Sequence, residues 1–287
     1  MTLSQKASHS TSHRTKDTEN FPVGSLLVAP HLRPIVHAYY TFARAADDIS
    51  DSAELTPEEK VRQLDEMDAQ LIGASGDAAA GDGPAAHVRE VLASTSVPIE
   101  HCRDLLVAFK RDSLQPRTKD WTQLMDYCRY SANPVGRFLL DLHGESKDAW
   151  AASDALCSAL QVLNHLQDCR DDFLQLDRVY LPQDWLERAG TSAEDLRQSR
   201  STPALMRVIR ETLEATRPLI REAAALPGLV KDAGLRRESA VIVVIAERLA
   251  DLLAVKDPVA ERVQLSKLAF ASAAITGLGR SFFVGGR

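Results

Sequence analysis

The stretch ALQVLNHLQDCRDDF, Ala159–Phe173, decides how this chain is read. At about 100° of rotation per residue, Gln161, Asn164, His165, Asp168, Asp172 and Gln175 fall in one sector about 100° wide. Leu156, Leu160, Val162, Leu163, Leu166, Phe173 and Leu174 fill most of the remaining circumference. A surface helix shows the opposite proportion, a wide polar face over a narrower apolar stripe. A narrow polar line in an apolar perimeter predicts a helix enclosed by protein, with one edge on a wet cavity. The line carries short amides and carboxylates, which suit fixed coordination better than solvation.

A second stretch, AYYTFARAADDISD (Ala38–Asp51), has the same character. Tyr40, Arg44, Asp47 and Asp51 share a sector about 60° wide, opposite Ile35, Ala38, Phe42, Ala45 and Ile49. Asp47 and Asp51 are four residues apart, as are Asp168 and Asp172, so each pair projects from one helix face. Carboxylates held side by side repel unless cations neutralise them. Oxygen donors without His or Cys point to Mg²⁺, which takes a few carboxylates and completes its shell with water and phosphate oxygens. Two such pairs facing across a bundle predict a clamp for a diphosphate, whose departure bound metal assists. Arg44, one turn before Asp47, adds a charge-assisted contact to the same phosphate. Asp48 lies at the edge of the first line and Asp171 points away from the second. Either run alone reads as ordinary surface charge; two runs on separate helices, each beside an apolar arc, argue against that.

Working outward, strand signals are nearly absent and helical periodicity dominates. Helices are predicted over about 34–51, 57–72, 84–94, 98–114, 119–143, 148–177, 203–224, 229–254 and 257–283. Leu181-Pro182 stops the long central helix. Pro134 is expected to kink the helix that contains it, and Asp257-Pro258 to open the last one. The segment Gly73–Pro84 reads as a flexible surface loop and residues 1–18 as a disordered tail. Residues 19–287 then form one all-α domain.

The 287 residues are 45% hydrophobic and 26% charged with a net charge of −6, and no basic block marks a nucleic-acid partner. Cys102, Cys128, Cys157 and Cys169 show no metal-type spacing and read as reduced packing residues of a cytoplasmic protein. The N-terminus lacks the apolar core of a secretory signal. The densest late apolar run, Val241–Ala246, is far short of the roughly 20 residues that span a bilayer. Peripheral membrane contact is the most this pattern allows. Gly277–Gly279 follows no strand, so a nicotinamide-binding fingerprint is not expected.

Three segments in order, YTFARAADDISD (Tyr40–Asp51), YCRYSANPVG (Tyr127–Gly136) and LQVLNHLQDCRDDFLQLDRVYLP (Leu160–Pro182), resemble the squalene/phytoene synthase family. The resemblance runs from about Phe21 to Pro182 and weakens beyond. It implies the class I isoprenoid synthase fold, a single helical bundle around a central cavity, and a prenyl diphosphate as substrate. It also implies that Asp47, Asp51, Asp168 and Asp172 hold Mg²⁺. Tyr40, Arg44, Tyr127, Tyr130 and Asn164 take catalytic roles by the same analogy, and Phe21, Arg44, Asn133, Gln161, Asn164, His165, Arg178 and Tyr180 bind substrate.

The segments ENFPVGS (Glu19–Ser25), SANPVG (Ser131–Gly136) and NHLQD (Asn164–Asp168) resemble the branch that converts presqualene diphosphate and water to hydroxysqualene without a nicotinamide cofactor. A functional link to an enzyme making presqualene diphosphate follows. Asn133 and Gln167 stand where many members carry glycine and arginine, which argues against direct condensation of two farnesyl diphosphates. By helical phase Gln167 faces away from the carboxylates, so this charge argument is small. Tyr130, Tyr127, Asn164 and His165 are the candidates for orienting water, and the residues alone do not choose among them. The alternatives are a synthase of presqualene diphosphate, squalene, dehydrosqualene or phytoene, or a non-catalytic helical relative; four retained aspartates speak against the last.

Overall fold

Prolines and side-chain caps set where the helices begin. The computed structural model describes residues 28–74 and 83–284; the expected tail 1–18, Phe21 and most of the Gly73–Pro84 loop lie outside them. Helix α1 (Arg33–Asp51) carries proline in its first turn, and α2 (Pro57–Leu71) starts on a Thr56–Glu59 capping box. Next come α3 (Pro84–Leu92), α4 (Glu100–Leu114) and α5 (Trp121–Ser131), the last capped by Asp120. Helices α6 (Asn133–Leu142), α7 (Trp150–Leu176), α8 (Gln183–Ala189) and α9 (Pro203–Ala223) lead to a short α10 (Leu226–Leu229). Helix α11 (Ala233–Val255), capped by Asp232, and α12 (Lys267–Val284) complete the order. No helix among the described residues is long and apolar enough to cross a membrane.

The expected helix 119–143 is two helices, with a break at Ala132 (φ −122°, ψ −43°). Pro134 supplies no amide proton there. The expected helix 257–283 starts only at Lys267. Asp257 does not cap it, because its carboxylate accepts instead from Ser201 N, Ser201 Oγ and Val259 N in a folded turn. The central helix ends at Leu176, where Asp177 turns left-handed, and not at Leu181-Pro182 as expected; Pro182 instead opens α8, a helix the periodicity missed.

Two apolar clusters hold the bundle. One gathers Phe42, Ala46, Leu64, Leu106 and Phe138 from the first helices, the other Val162, Leu163, Leu166, Phe173 and residues of α8–α11. Helix α7 packs against α5, α6, α9 and α11, so it is enclosed as its perimeter predicts. A Cβ at Gly136 would overlap Ser153 Oγ and Cys157 Sγ, so glycine is what lets α6 lie against α7. Helix α1 contributes to the first cluster and α7 to the second, and their carboxylate lines open on one cavity. The one β-type pairing among the described residues, a parallel bridge between Arg117 and Val179, ties the segment after α4 to the segment after α7. Val179 N donates to Pro116 O (2.8 Å) and Thr118 N to Val179 O (3.1 Å). That bridge fixes Arg178 and Tyr180 on either side of Val179.

Candidate active site

A cavity of about 230 Å³ receives Asp47 and Asp51 from α1 and Gln161, Asn164, His165, Asp168, Asp172 and Leu176 from α7. Phe109 and Asp112 of α4, Tyr127 and Ser131 of α5, and Arg178 and Tyr180 beside the bridge complete its lining. A shallower hollow bounded by Gln115, Pro116 and Gln183 lies elsewhere and brings no carboxylates together.

On the α1 side, Arg44 pairs with Asp47 (3.1 Å) and Asp48 (2.8 Å) at the rim. Arg178 reaches Asp51 at 2.5 Å, donates to Ser50 O (2.8 Å) and Ser50 Oγ (2.9 Å), and donates from Nε to Asp112 O (3.2 Å). Burial pulls the Arg178 pKa down, but the charges of Asp112, Tyr180 and Asp51 outweigh it and hold it above its ordinary value. The guanidinium stays charged inside the fold.

On the α7 side, Asp172 is only 7% exposed, and His165 Nδ1 lies 3.9 Å from it. Gln161 Nε2 meets His165 Nε2 at 3.1 Å, and the His165 ring stacks on Tyr180 with centroids 3.5 Å apart. Between the walls sits Asp112, which accepts from Tyr127 OH and Tyr180 OH, both at 2.8 Å. Burial pushes the Asp112 carboxyl up from its ordinary value; Arg178 and the two phenols oppose that push without cancelling it. Burial likewise raises the Tyr127 and Tyr180 phenols, with the Asp112 charge adding to the effect, so both stay protonated.

The fold therefore gathers ten of the residues singled out from sequence: the four aspartates, Tyr127, Gln161, Asn164, His165, Arg178 and Tyr180. Others fall elsewhere. Arg44 is at the rim and Tyr40 lies on α1 outside the lining. The Tyr130 ring sits outside the cavity under Arg111 (4.7 Å) and Arg129 (5.4 Å). Asn133 is buried at the helix break, where its amide, oriented to satisfy its neighbours, donates to the carbonyls of Cys128 and Asp154 and to Ser158 Oγ. Gln175, placed on the polar line by phase, is exposed, and Leu176 takes the cavity edge instead. Gln167 turns away as expected and donates to Val263 O. Phe109, Asp112 and Ser131 come from helices on which no polar line pointed to them.

The donor set fits a divalent cation. Four carboxylates from opposed helices line one cavity. Among the described residues no three His, Cys, Asp or Glu side chains close into a cage, so protein donors alone do not complete a shell. An ion that keeps room for water and phosphate oxygens suits that arrangement.

Opposed acidic helices over an aromatic-floored cavity in an all-α bundle define an isoprenoid synthase. A family model described as squalene/phytoene synthase matches residues 14–269. The chain belongs to the squalene/phytoene synthase family and is an enzyme of it. It is 45% identical over 256 residues to a hydroxysqualene synthase of Sinorhizobium fredii, covering 89% of this chain and 85% of that one. With a hydroxysqualene synthase of Rhodopseudomonas palustris it shares 43% identity over 93% of this chain and 90% of the relative. Among solved structures, squalene synthase HpnC from Alicyclobacillus acidocaldarius is 33% identical with a TM-score of 0.69, over 83% of this chain and 89% of that one.

Proposed function

We propose that this enzyme converts presqualene diphosphate and water to hydroxysqualene and diphosphate. The convergence of Asp47, Asp51, Asp168 and Asp172 on one cavity carries the diphosphate-ionising part of the reading. Identity of 41–45% to hydroxysqualene synthases over about nine-tenths of the chain supports the choice of product.

The four aspartates are the residues that would hold Mg²⁺, which when bound supplies the positive charge that stabilises a departing diphosphate. Arg44 at the rim adds charge-assisted hydrogen bonds to diphosphate oxygens. Loss of diphosphate leaves a cyclopropylcarbinyl cation. The aromatic rings of Tyr127, Tyr180 and Phe109, all in the cavity lining, supply electron-rich groups that stabilise it while excluding bulk water. Both phenols stay oriented because Asp112 accepts from them. Ring opening delivers an allylic cation, and one water captures it. The reaction consumes no hydride, so it calls for no nicotinamide cofactor. Its substrate comes from an enzyme that joins two prenyl diphosphates into presqualene diphosphate. We place the enzyme in the cytoplasm with peripheral contact to the membrane, where its apolar product partitions.

Purified protein given presqualene diphosphate and Mg²⁺ without NADPH is expected to yield hydroxysqualene by mass spectrometry and to leave farnesyl diphosphate largely unreacted. The competing reading, motivated by the 33%-identical squalene synthase, is condensation of prenyl diphosphates. Turnover of farnesyl diphosphate to presqualene diphosphate or squalene would establish it instead.

A further inference from the structure

Ser131 is the last residue of α5, four positions after Tyr127 and on the same helix face, and it lines the cavity. Its Oγ is buried without a hydrogen-bond partner. A serine in a helix commonly returns its hydroxyl to the carbonyl four residues back. Ser239 does this, donating to Leu235 O at 2.7 Å. Ser131 does not. Its helix breaks at the next residue, and the buried Asn133 amide pins that break to the Asp154–Ser158 turn of α7. The SANPVG segment thus builds a corner that leaves one unpartnered hydroxyl in the cavity wall.

A buried hydroxyl without a partner forfeits about 1–3 kcal/mol, and polar cavities normally meet such groups with ordered water. Gln161, Asn164 and His165 of α7 line the same cavity and are the polar groups there that can share such a water.

We propose that Ser131 Oγ holds the water that captures the carbocation, so that this residue decides between an alcohol and a hydrocarbon product. The inference rests on the function proposed above. A lone pair of the held water forms the C–O bond to the allylic cation, and one water proton passes to the released diphosphate. The carbon skeleton gains a hydroxyl, diphosphate gains a proton, and nothing is oxidised or reduced. Without the held water, the same cation loses a proton from a neighbouring carbon and becomes a conjugated hydrocarbon. Ser131 is a positioning residue: it acts through the water and leaves ionisation to the aspartates.

Ser131→Thr and Ser131→Val test this directly, because the two side chains share a shape and differ in the hydroxyl. Ser131→Ala removes the hydroxyl without added bulk. Each variant and the wild type receive presqualene diphosphate and Mg²⁺, and the readout is alcohol formed per diphosphate released. The Thr variant is expected to keep the wild-type ratio, while Val and Ala lower it about tenfold or more, with conjugated hydrocarbon replacing the alcohol. Equal ratios in Thr and Val, or an unchanged ratio in Ala, overturn the assignment while leaving the proposed function standing. A wild type that releases diphosphate but forms no alcohol overturns the proposed function and this inference with it.

Discussion

On the α1 wall of the cavity, Asp47 and Asp51 are each met by a guanidinium, Arg44 at 3.1 Å and Arg178 at 2.5 Å. Arg178 goes further and grips the backbone at Ser50 and Asp112. On the α7 wall, His165 Nδ1 lies 3.9 Å from the Asp172 carboxylate, and that ring stacks on Tyr180. The rest of α7 is held by apolar packing: Val162, Leu163, Leu166 and Phe173 are all nearly inaccessible. Two carboxylate pairs with the same spacing therefore have different attachments. The α1 pair is wired into the fold through arginine, and the α7 pair stands on a helix with a broad, buried apolar perimeter.

The two walls are expected to answer substitution differently. Asp168→Asn and Asp172→Asn are expected to lower turnover about a thousandfold or more by removing charge from the leaving-group clamp. Their thermal midpoints should move by only a few degrees. Assays of diphosphate release beside thermal unfolding test this, and EDTA should mimic the kinetic loss until Mg²⁺ is restored. Undiminished activity in either variant would remove the clamp from the mechanism. Asp51→Asn should lose turnover as well, but also stability, about 2 kcal/mol, because Arg178 is left with buried charge and one partner fewer. Urea unfolding of Asp51→Asn beside Asp172→Asn decides this; equal stabilities would erase the difference between the walls.

A smaller effect concerns pH. The Asp112 carboxyl is raised from its ordinary 3.8 by burial, so the folded chain binds this proton more tightly than the unfolded chain. The stability it contributes is complete below the unfolded pKa and is lost as pH rises through the folded one. Asp112→Asn cannot titrate, so relative to wild type it should gain stability as pH rises from about 4 towards 7. A pH-independent difference in urea midpoints would refute the linkage. Smallest of all, Asp171→Asn should stay within about twofold of wild-type turnover, because Asp171 is exposed on the outer side of the same helix.

Helical phase made both carboxylate pairs legible, since residues four apart share a face wherever the helix lies. Phase also separated Asp172 from Asp171 and Gln167 from the cavity. It failed at Gln175, where α7 is about to end: Asp177 turns to the left-handed region (φ 54°) one residue after Leu176. It could not find Asp112, whose role depends on Tyr127 and Tyr180 arriving from α5 and from beyond α7. Asn133 drew notice as an unusual residue, but its neighbour Ser131 holds the cavity position and Asn133 holds the corner. The turn at Asp257 was missed for a similar reason, because its partner Ser201 is 56 residues away.

Arg178 bonds to residues 127 and 128 positions earlier in the chain. Contacts that close loops of this length are delayed by chain entropy and belong to the late stages of folding. The clasp that neutralises Asp51 therefore also times the site: both walls come together only after most of the bundle has formed. A half-folded chain offers no enclosed cavity in which to ionise a diphosphate. Competence to generate a reactive cation thus arrives together with the walls that keep that cation from bulk solvent.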